Sequence, residues 1–154
     1  MIFTSAHRAS RVLYDFLKSV SISNKPWILP ANICDCVPQT FAEAGAPVEY
    51  VDIEQNTWCI NQQQTLQHLE TGNYAGVLYV HTYGVEDTPN DFFRQIKSIN
   101  PNIYIVDDRC LCLPQLQMKD TIADLILFST GAKKQVNLNG GGIRMEIKPL
   151  VDVM

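Results

Sequence analysis

The chain has 154 residues, 46% of them hydrophobic and 18% charged, which is typical of one globular domain that buries a core without disulfides or metals. Its formal net charge of −4 at pH 7 is not gathered into blocks of either sign, which excludes a nucleic-acid-binding footprint. No apolar run approaches the roughly 18 residues of a membrane span, and we expect a cytoplasmic protein without membrane contact.

The first half of the chain predicts helices and strands in alternation. The apolar spacing over residues 6–20 predicts an amphipathic helix, and Thr4 and Ser5 before it are candidates for its N-cap. The elements predicted after it are a strand, a helix, a strand and a helix, at residues 27–29, 36–44, 48–52 and 62–69.

The second half predicts the centre of a sheet. Residues 75–81 and 102–107 are apolar on both faces, as central strands of a parallel sheet are, and a helix is predicted between them over 89–99. The last strong strand is predicted at 124–129. Short apolar strands alternating with helices indicate an α/β protein, a three-layer αβα domain with a mainly parallel sheet.

Chemically active side chains follow several of the predicted strands. In a parallel sheet the carboxyl ends of the strands share one edge, and ligands bind there. The residues at this edge are His81, Asp107, Asp108, Ser129, Lys133 and Lys134, followed by three glycines at 140–142. Together they predict a binding site, within which His81 is either functional or a hydrogen-bonded residue at the edge of the core.

Two common phosphate-binding motifs do not match. The stretch Gly131-x-x-Lys134 lacks the residue order of a P-loop and follows the last predicted strand rather than the first. No Gly-x-Gly-x-x-Gly follows the first strand, so a Rossmann-type dinucleotide site is excluded as well.

The five cysteines do not indicate a disulfide framework, because their number is odd and no secretory signal is recognisable. Cys34 and Cys36, and likewise Cys110 and Cys112, are separated by one residue, which is closer than the ligands of structural zinc sites. We therefore expect no metal site, and interpret these cysteines as small buried side chains beside strand ends.

Short stretches along nearly the whole chain resemble, in collinear order, the DegT/DnrJ/StrS-type aminotransferases, which are pyridoxal-phosphate (PLP) enzymes of fold type I. The stretches are Leu29-Pro30-Ala31, Ala44-Gly45-Ala46, Val51-Asp52-Ile53, Val80-His81-Thr82-Tyr83-Gly84, Val106-Asp107-Asp108, Ser129 to Lys134, and Gly140-Gly141-Gly142. The resemblance implies the large domain of a PLP transferase with an aspartate aminotransferase-like fold.

The resemblance also implies roles for individual residues. PLP needs a lysine for its aldehyde, a carboxylate for its pyridine nitrogen, and hydrogen-bond donors for its phosphate. Lys134 matches the Schiff-base lysine, with the adjacent Lys133 as the alternative. Asp108 matches the pyridine partner, since Asp107 is expected to point to the opposite face of the strand. The residues implied to hold the phosphate are Thr4, Ser5, Ala6 and Ser129.

The activity implied is transfer of an amino group from a small-molecule donor to a keto-sugar or similar ketone. The alternative is a catalytically inactive module of the same fold that acts in binding or assembly. Two positions differ from the pattern: Leu111 stands where the family often has Gln or His, and Cys34 where it often has an aromatic residue.

The same resemblance carries expectations about domain organisation. It implies that residues 1–154 form a single large domain, truncated and without the C-terminal small domain. Because such enzymes hold PLP at a dimer interface, and because the uncovered apolar surface favours association, we expect a homodimer.

Overall fold

A computed structural model of the protein describes residues 2–20, 24–85, 89–115 and 121–146. Helices and strands alternate along most of this part of the chain. Its strands and helices are, in chain order, β1 (Ile2–Ala6), α1 (Ala9–Val20), β2 (Trp27–Pro30), α2 (Cys36–Ala44), β3 (Val48–Val51), α3 (Gln62–Thr71), β4 (Gly76–Val80), α4 (Asn90–Ile99), β5 (Tyr104–Asp108), β6 (Leu125–Ser129) and β7 (Gly142–Glu146).

The strands form one sheet in the order β1-β7-β6-β5-β4-β2-β3. The five strands from β6 to β3 pair in parallel, whereas β7 is antiparallel to both β6 and β1. The prediction of a mainly parallel α/β sheet is therefore confirmed. The antiparallel strands β7 and β1 extend the sheet beyond β6, the last of the parallel strands.

Helices cover both faces of the sheet. On one face α1 and α2 pack together over Leu78 and Val106, and on the other α3 and α4 pack together over Val77 and Ile105. Consecutive strand residues thus enter different cores, because side chains alternate across a strand. This alternation is the reason for the two-face apolar pattern of the central strands, and it confirms the three-layer architecture.

The start of the chain differs from the prediction. Residues 2–6 form β1, in which Thr4 pairs with Arg144 and Ser5 with Ile143 of β7, and α1 begins only at Ala9. Thr4 and Ser5 are consequently strand residues and not N-caps. The apolar spacing within α1 is the one predicted, but the pairing with β7 spans almost the whole chain and leaves no local periodicity that would mark the strand.

The remaining elements lie close to their predicted positions. Helix α2 matches its predicted bounds and ends at Gly45, whose left-handed φ of 76° lets its N–H reach back to the last turn. Helix α3 begins at its cap Asn61, whose side chain accepts a hydrogen bond from the Gln64 N–H. No helix in the described ranges is long and apolar enough to cross a membrane.

Candidate active site

A cavity of about 1070 Å³ opens at the carboxyl ends of the parallel strands. Its walls come from the start of α1, the loop between β2 and α2, the turn after β4, the end of β5 and the loop after β6. Of the residues predicted for the site, those that line it are Ala6, Asp108, Ser129 and Lys134. The parallel topology brings these residues together from distant parts of the sequence.

Asp108 is buried at the end of β5 and contributes to the cavity wall. Its carboxylate accepts a 2.9 Å hydrogen bond from the Cys110 N–H. Burial raises the pKa of Asp108 above its ordinary value, while the hydrogen bonds from Cys110 and the charge of Lys134 act in the opposite direction. Asp108 is therefore a desolvated acid whose ionised form is stabilised by a cationic partner in the cavity.

Asp107 points to the other side of the sheet. One of its carboxylate oxygens lies 2.6 Å from His81 Nε2 and the other accepts a 2.8 Å hydrogen bond from Arg109 Nε, all three side chains being buried. His81 also contacts the Val85 carbonyl through Nδ1 at 2.8 Å. His81 is thus a hydrogen-bonded residue of the protein interior and does not line the cavity.

Lys134 lies in the loop after β6, where its backbone N–H donates to the Gly131 carbonyl. It lines the main cavity together with Asp108, and it also lines an adjoining cleft of about 340 Å³. Lys133 is exposed, borders the cleft but not the main cavity, and has a left-handed φ of 65°. The geometry therefore distinguishes the two lysines: Lys134 is the one that faces Asp108.

The start of α1 reaches the cavity through residues that the sequence analysis did not select. Ala6 is joined at the wall by His7, Arg8, Ala9 and Ser10, whereas Ser5 is not part of it. The N–H groups of a helix's first turn have no intrahelical partner and attract anions. These residues were missed because the helix was predicted to start at residue 6 instead of Ala9.

The glycine-rich turn holds α1 against the end of β6. The Gly141 N–H donates to the His7 carbonyl at 2.8 Å, and the Thr130 N–H donates to the Gly141 carbonyl at 3.0 Å. A Cβ at Gly142 would lie 2.5 Å from the backbone of Ala9. Only glycine permits this approach, so the turn positions the helix start within the cavity wall.

Backbone strain is concentrated around the cavity. The non-glycine residues of the described ranges that adopt a positive φ are Trp58, Tyr83, Lys133 and Asn139. Each of them lines the main cavity or the adjoining cleft. Such conformations cost on the order of 1–3 kcal/mol each and cluster at functional sites, which makes this cavity the candidate functional site.

Cys34, Cys36 and Cys110 line the cavity, whereas the sequence analysis predicted that both closely spaced pairs of cysteines are buried. Cys34 and Cys36 are exposed at the start of α2, with their sulfurs 3.4 Å apart, and only Cys112 is fully buried among the four. Burial and then the neighbouring Cys34 raise the pKa of Cys36 to about 11, and burial raises the pKa of Cys110 well above its ordinary value. These two thiols therefore stay protonated at neutral pH.

Within the described ranges no group of three or more His, Cys, Asp or Glu side chains is placed to hold a metal ion. The cavity wall also contains apolar or weakly polar side chains, including Cys36, Cys110 and Leu111. A wall of this kind suits an organic ring with a few polar substituents.

Comparison with known proteins gives structural but not sequence matches. The chain superposes on an aminotransferase from Psychrobacter cryohalolentis with a TM-score of 0.80 at 14% identity, covering 96% of this chain. It superposes on a sugar aminotransferase from Micromonospora echinospora with a TM-score of 0.78 at 13% identity, covering 95% of this chain. For the E. coli GDP-4-keto-6-deoxy-D-mannose-3-dehydratase with bound hydrated PLP, the TM-score is 0.76 at 16% identity, and 96% of this chain is covered.

No family model and no curated protein sequence matches the chain. The chain spans between 38% and 42% of the length of the three solved proteins. At identities this low the likeness establishes the fold: the chain has the α/β fold of PLP-dependent transferases.

Proposed function

We propose that this chain binds PLP and forms the cofactor-binding part of an aminotransferase that transfers an amino group to a keto-sugar or similar ketone. The observation that carries the proposal is that Asp108 and Lys134 line one cavity, at the carboxyl edge of a sheet with the PLP-transferase fold. Solved proteins with this fold include a sugar aminotransferase and an enzyme with bound PLP.

The chemistry of the cavity fits this cofactor at three points. Asp108 is a desolvated acid that would pair with a protonated pyridine nitrogen, since a charged hydrogen bond compensates the burial of both groups. Lys134 supplies the amine that would link to the aldehyde. The start of α1 with Ser10, together with Ser129, supplies donors for the phosphate. When bound, PLP supplies an electron-accepting ring for chemistry at the substrate's amine-bearing carbon.

The phosphate group is assigned differently from the sequence prediction. Thr4 and Ser5 lie in β1 and Ser5 is not part of the cavity wall, whereas Ala6 is part of it and Ala9 and Ser10 begin the helix that borders it. We therefore assign phosphate binding to the first turn of α1 and to Ser129. Arg8, exposed at the same wall, adds a positive charge that favours an anion there.

Lys134 would have two tasks in the reaction. Its amine first holds the cofactor, and after the substrate displaces it, the same amine carries a proton to and from the substrate carbon. Both tasks require that the amine reaches the reacting atoms. Lys134 lines both the main cavity and the adjoining cleft, which supports this role.

The test is covalent capture of the cofactor. The protein is mixed with PLP and reduced with borohydride, and peptide mapping by mass spectrometry locates the phosphopyridoxyl group. We expect it on Lys134, with loss in Lys134→Ala and retention in Lys133→Ala. L-Glutamate, as an amino donor, is then expected to change the absorbance of the unreduced complex.

Two other outcomes have defined meanings. Attachment that survives in Lys134→Ala but not in Lys133→Ala moves the role to Lys133. No attachment in the unmutated protein contradicts the proposal and favours an inactive module for binding or assembly. We also expect a homodimer, because Leu113 and Leu138 expose apolar side chains, that of Leu138 at the cavity; a monomer in light scattering at micromolar concentration contradicts this.

A further inference from the structure

Two large aromatic side chains stand exposed at the cavity. Trp58 is 51% exposed and Tyr83 is 78% exposed, and both line the cavity that contains Asp108 and Lys134. Both also have a left-handed backbone, with φ of 59° and 56°. In the free protein this arrangement carries two costs, the exposure of apolar surface to water and the strain of a left-handed backbone. A ligand that covers the two rings would remove the first cost.

Trp58 is held in place by its backbone. Its carbonyl accepts 2.9 Å hydrogen bonds from Asn32 Nδ2 and from Thr82 Oγ1, and its N–H donates to the Glu54 carbonyl at 2.8 Å. Asn32 follows β2 and Thr82 follows β4, so the loop that carries Trp58 is anchored to two strand ends. The indole itself is left outside this network.

Tyr83 is held by the turn on which it lies. Thr82, its neighbour, bonds to Trp58, and the Gly84 N–H donates to the His81 carbonyl at 3.0 Å. A Cβ on Gly84 would lie 2.6 Å from the Leu111 carbonyl, which shows how closely the turn packs on the loop after β5. The buried His81 binds the Val85 carbonyl and closes the turn from beneath.

The two rings are therefore preorganised and tied to each other. A rigid aromatic side chain gives a large contact area at a low cost in conformational entropy. Charged side chains line the wall at the start of α1, at the end of β5 and after β6, and Lys133 and Lys134 share the adjoining cleft with Tyr83. The faces of the two aromatic rings themselves suit an uncharged ring of the ligand that has a flat face.

We propose that Trp58 and Tyr83 bind the pyranose ring of the acceptor substrate, by stacking against its face of C–H groups. This rests on the proposed function, because the carbon that reacts has to lie next to Lys134. Tyr83 lines both the cavity and the cleft to which Lys134 contributes, so the ring that bears the reacting carbon lies against Tyr83. A cavity of about 1070 Å³ has room for such a ring beside a cofactor-sized ligand.

Tryptophan fluorescence can report sugar binding at this site. Of its two tryptophans, Trp27 is 1% exposed in the core and Trp58 lines the cavity. Fluorescence is titrated with UDP-glucose, with methyl β-D-glucopyranoside and with UDP, in the absence of PLP. We expect the emission to change with both sugars, the glucoside at higher concentration, and not with UDP alone. The variant Trp58→Phe is expected to lose the response.

Calorimetry then measures the contribution of each ring. We expect Trp58→Ala and Tyr83→Ala to raise the dissociation constant for UDP-glucose by about fivefold or more, as the loss of an aromatic stacking contact predicts. Trp58→Phe, which keeps a ring, is expected to lie between Trp58→Ala and the unmutated protein, and covers the case in which the alanine variant does not fold. Tyr50→Ala removes a ring that is 47% exposed on β3, away from the cavity, and serves as the matched control with unchanged binding.

The outcomes separate this inference from the proposed function. Loss of sugar binding in Trp58→Ala and Tyr83→Ala, with covalent capture of PLP retained, supports both the sugar subsite and the proposed function. Absence of PLP capture overturns the proposed function, while the fluorescence titration still reads the sugar subsite. Unchanged sugar binding in Trp58→Ala and Tyr83→Ala, or a full response to UDP alone, overturns the inference.

Discussion

Asp107 and Asp108 are consecutive residues of β5, and their carboxylates lie on opposite faces of the sheet. Asp107 is hydrogen-bonded to buried His81 and Arg109, while Asp108 faces the cavity and the charge of Lys134. The hydrogen bonds of Asp107 hold the end of β5 in place, and the neighbouring Asp108 is thereby held at the cavity.

The first prediction concerns the charge of Asp108. Its folded pKa is raised, mainly by burial, so in the apo protein it stabilises the fold below its unfolded pKa and this stabilisation is lost as the pH rises through the folded pKa. Asp108→Asn removes the titration. We expect the variant to melt a few degrees higher than the unmutated apo protein at neutral pH, with the difference disappearing in acid.

Thermal unfolding at several pH values measures this effect. In the presence of PLP the order is expected to reverse, because a protonated pyridine nitrogen pairs with the Asp108 carboxylate and not with an amide. Equal stabilisation of both proteins by PLP would contradict the assignment of Asp108 to the pyridine nitrogen.

The second prediction concerns the interior network behind the site. His81→Asn shortens the side chain and leaves the Asp107 carboxylate without its 2.6 Å partner in a buried environment. Asp107 keeps its hydrogen bond from Arg109, so the cost is that of one lost hydrogen bond to a buried charged group, about 1.5–3 kcal/mol, and urea unfolding is expected to show a loss of this size.

An exposed ion pair provides the comparison. Arg11→Ala breaks the contact of Arg11 with Asp15, both of which are well exposed, and is expected to cost less than about 1 kcal/mol. A loss of similar size in both variants would show that the His81 network does not anchor the fold.

The third prediction concerns the glycine-rich turn. The added Cβ of Gly142→Ala would overlap the backbone of Ala9 and push the start of α1 away from β7. We expect the free energy of unfolding to fall by about 1–3 kcal/mol. Compared with the unmutated protein, the affinity for PLP is expected to fall more than the affinity for pyridoxal, which has no phosphate.

Gly131→Ala is the control for stability, since its Cβ would meet no atom closer than the Ser129 hydroxyl at 3.6 Å. Unfolding curves and cofactor titrations on the three proteins give both quantities. A stable Gly142→Ala protein with unaltered preference for the phosphate would contradict the role of this turn in positioning α1.

The fourth prediction concerns the thiols at the cavity wall. The thiolate is the reactive form, and the pKa of Cys36 is about 11, so its labelling by a maleimide is expected to rise about tenfold per pH unit between pH 7 and 10. Cys59 and Cys112 are buried and are expected to react only on unfolding.

Mass spectrometry of labelled peptides reports each cysteine separately. PLP is expected to slow the labelling of Cys34 and Cys36, because both line the cavity that it would fill. Labelling of Cys34 at the same rate with and without PLP would place the cofactor elsewhere.

Much of the fold follows from local sequence patterns. The two-face apolar segments around Val77 and Ile105 predict central parallel strands, and the 3.6-residue spacing around Leu13 and Phe16 predicts the helix that covers them. The alternation of side chains along a strand also predicts that Asp107 and Asp108 separate to different faces. These features depend on residues that are neighbours in the chain.

The ends of the sheet depend on distant residues and were not predictable in this way. Thr4 pairs with Arg144, so β1 exists only because β7 folds back after the glycine-rich turn. As a result the start of α1 was placed too early, and the helix residues at the cavity wall, such as Ser10, were missed.

The sequence by itself determined the α/β alternation, the polar strand ends and the place of Asp108 among them, because each follows from side-chain periodicity or from the shared edge of parallel strands. Only the tertiary structure decided that Lys134 rather than Lys133 faces Asp108, and that Trp58 and Tyr83 reach the same cavity. These positions depend on loop conformations with positive φ, which are imposed by contacts between segments far apart in the chain and leave no periodic signal in the residues themselves.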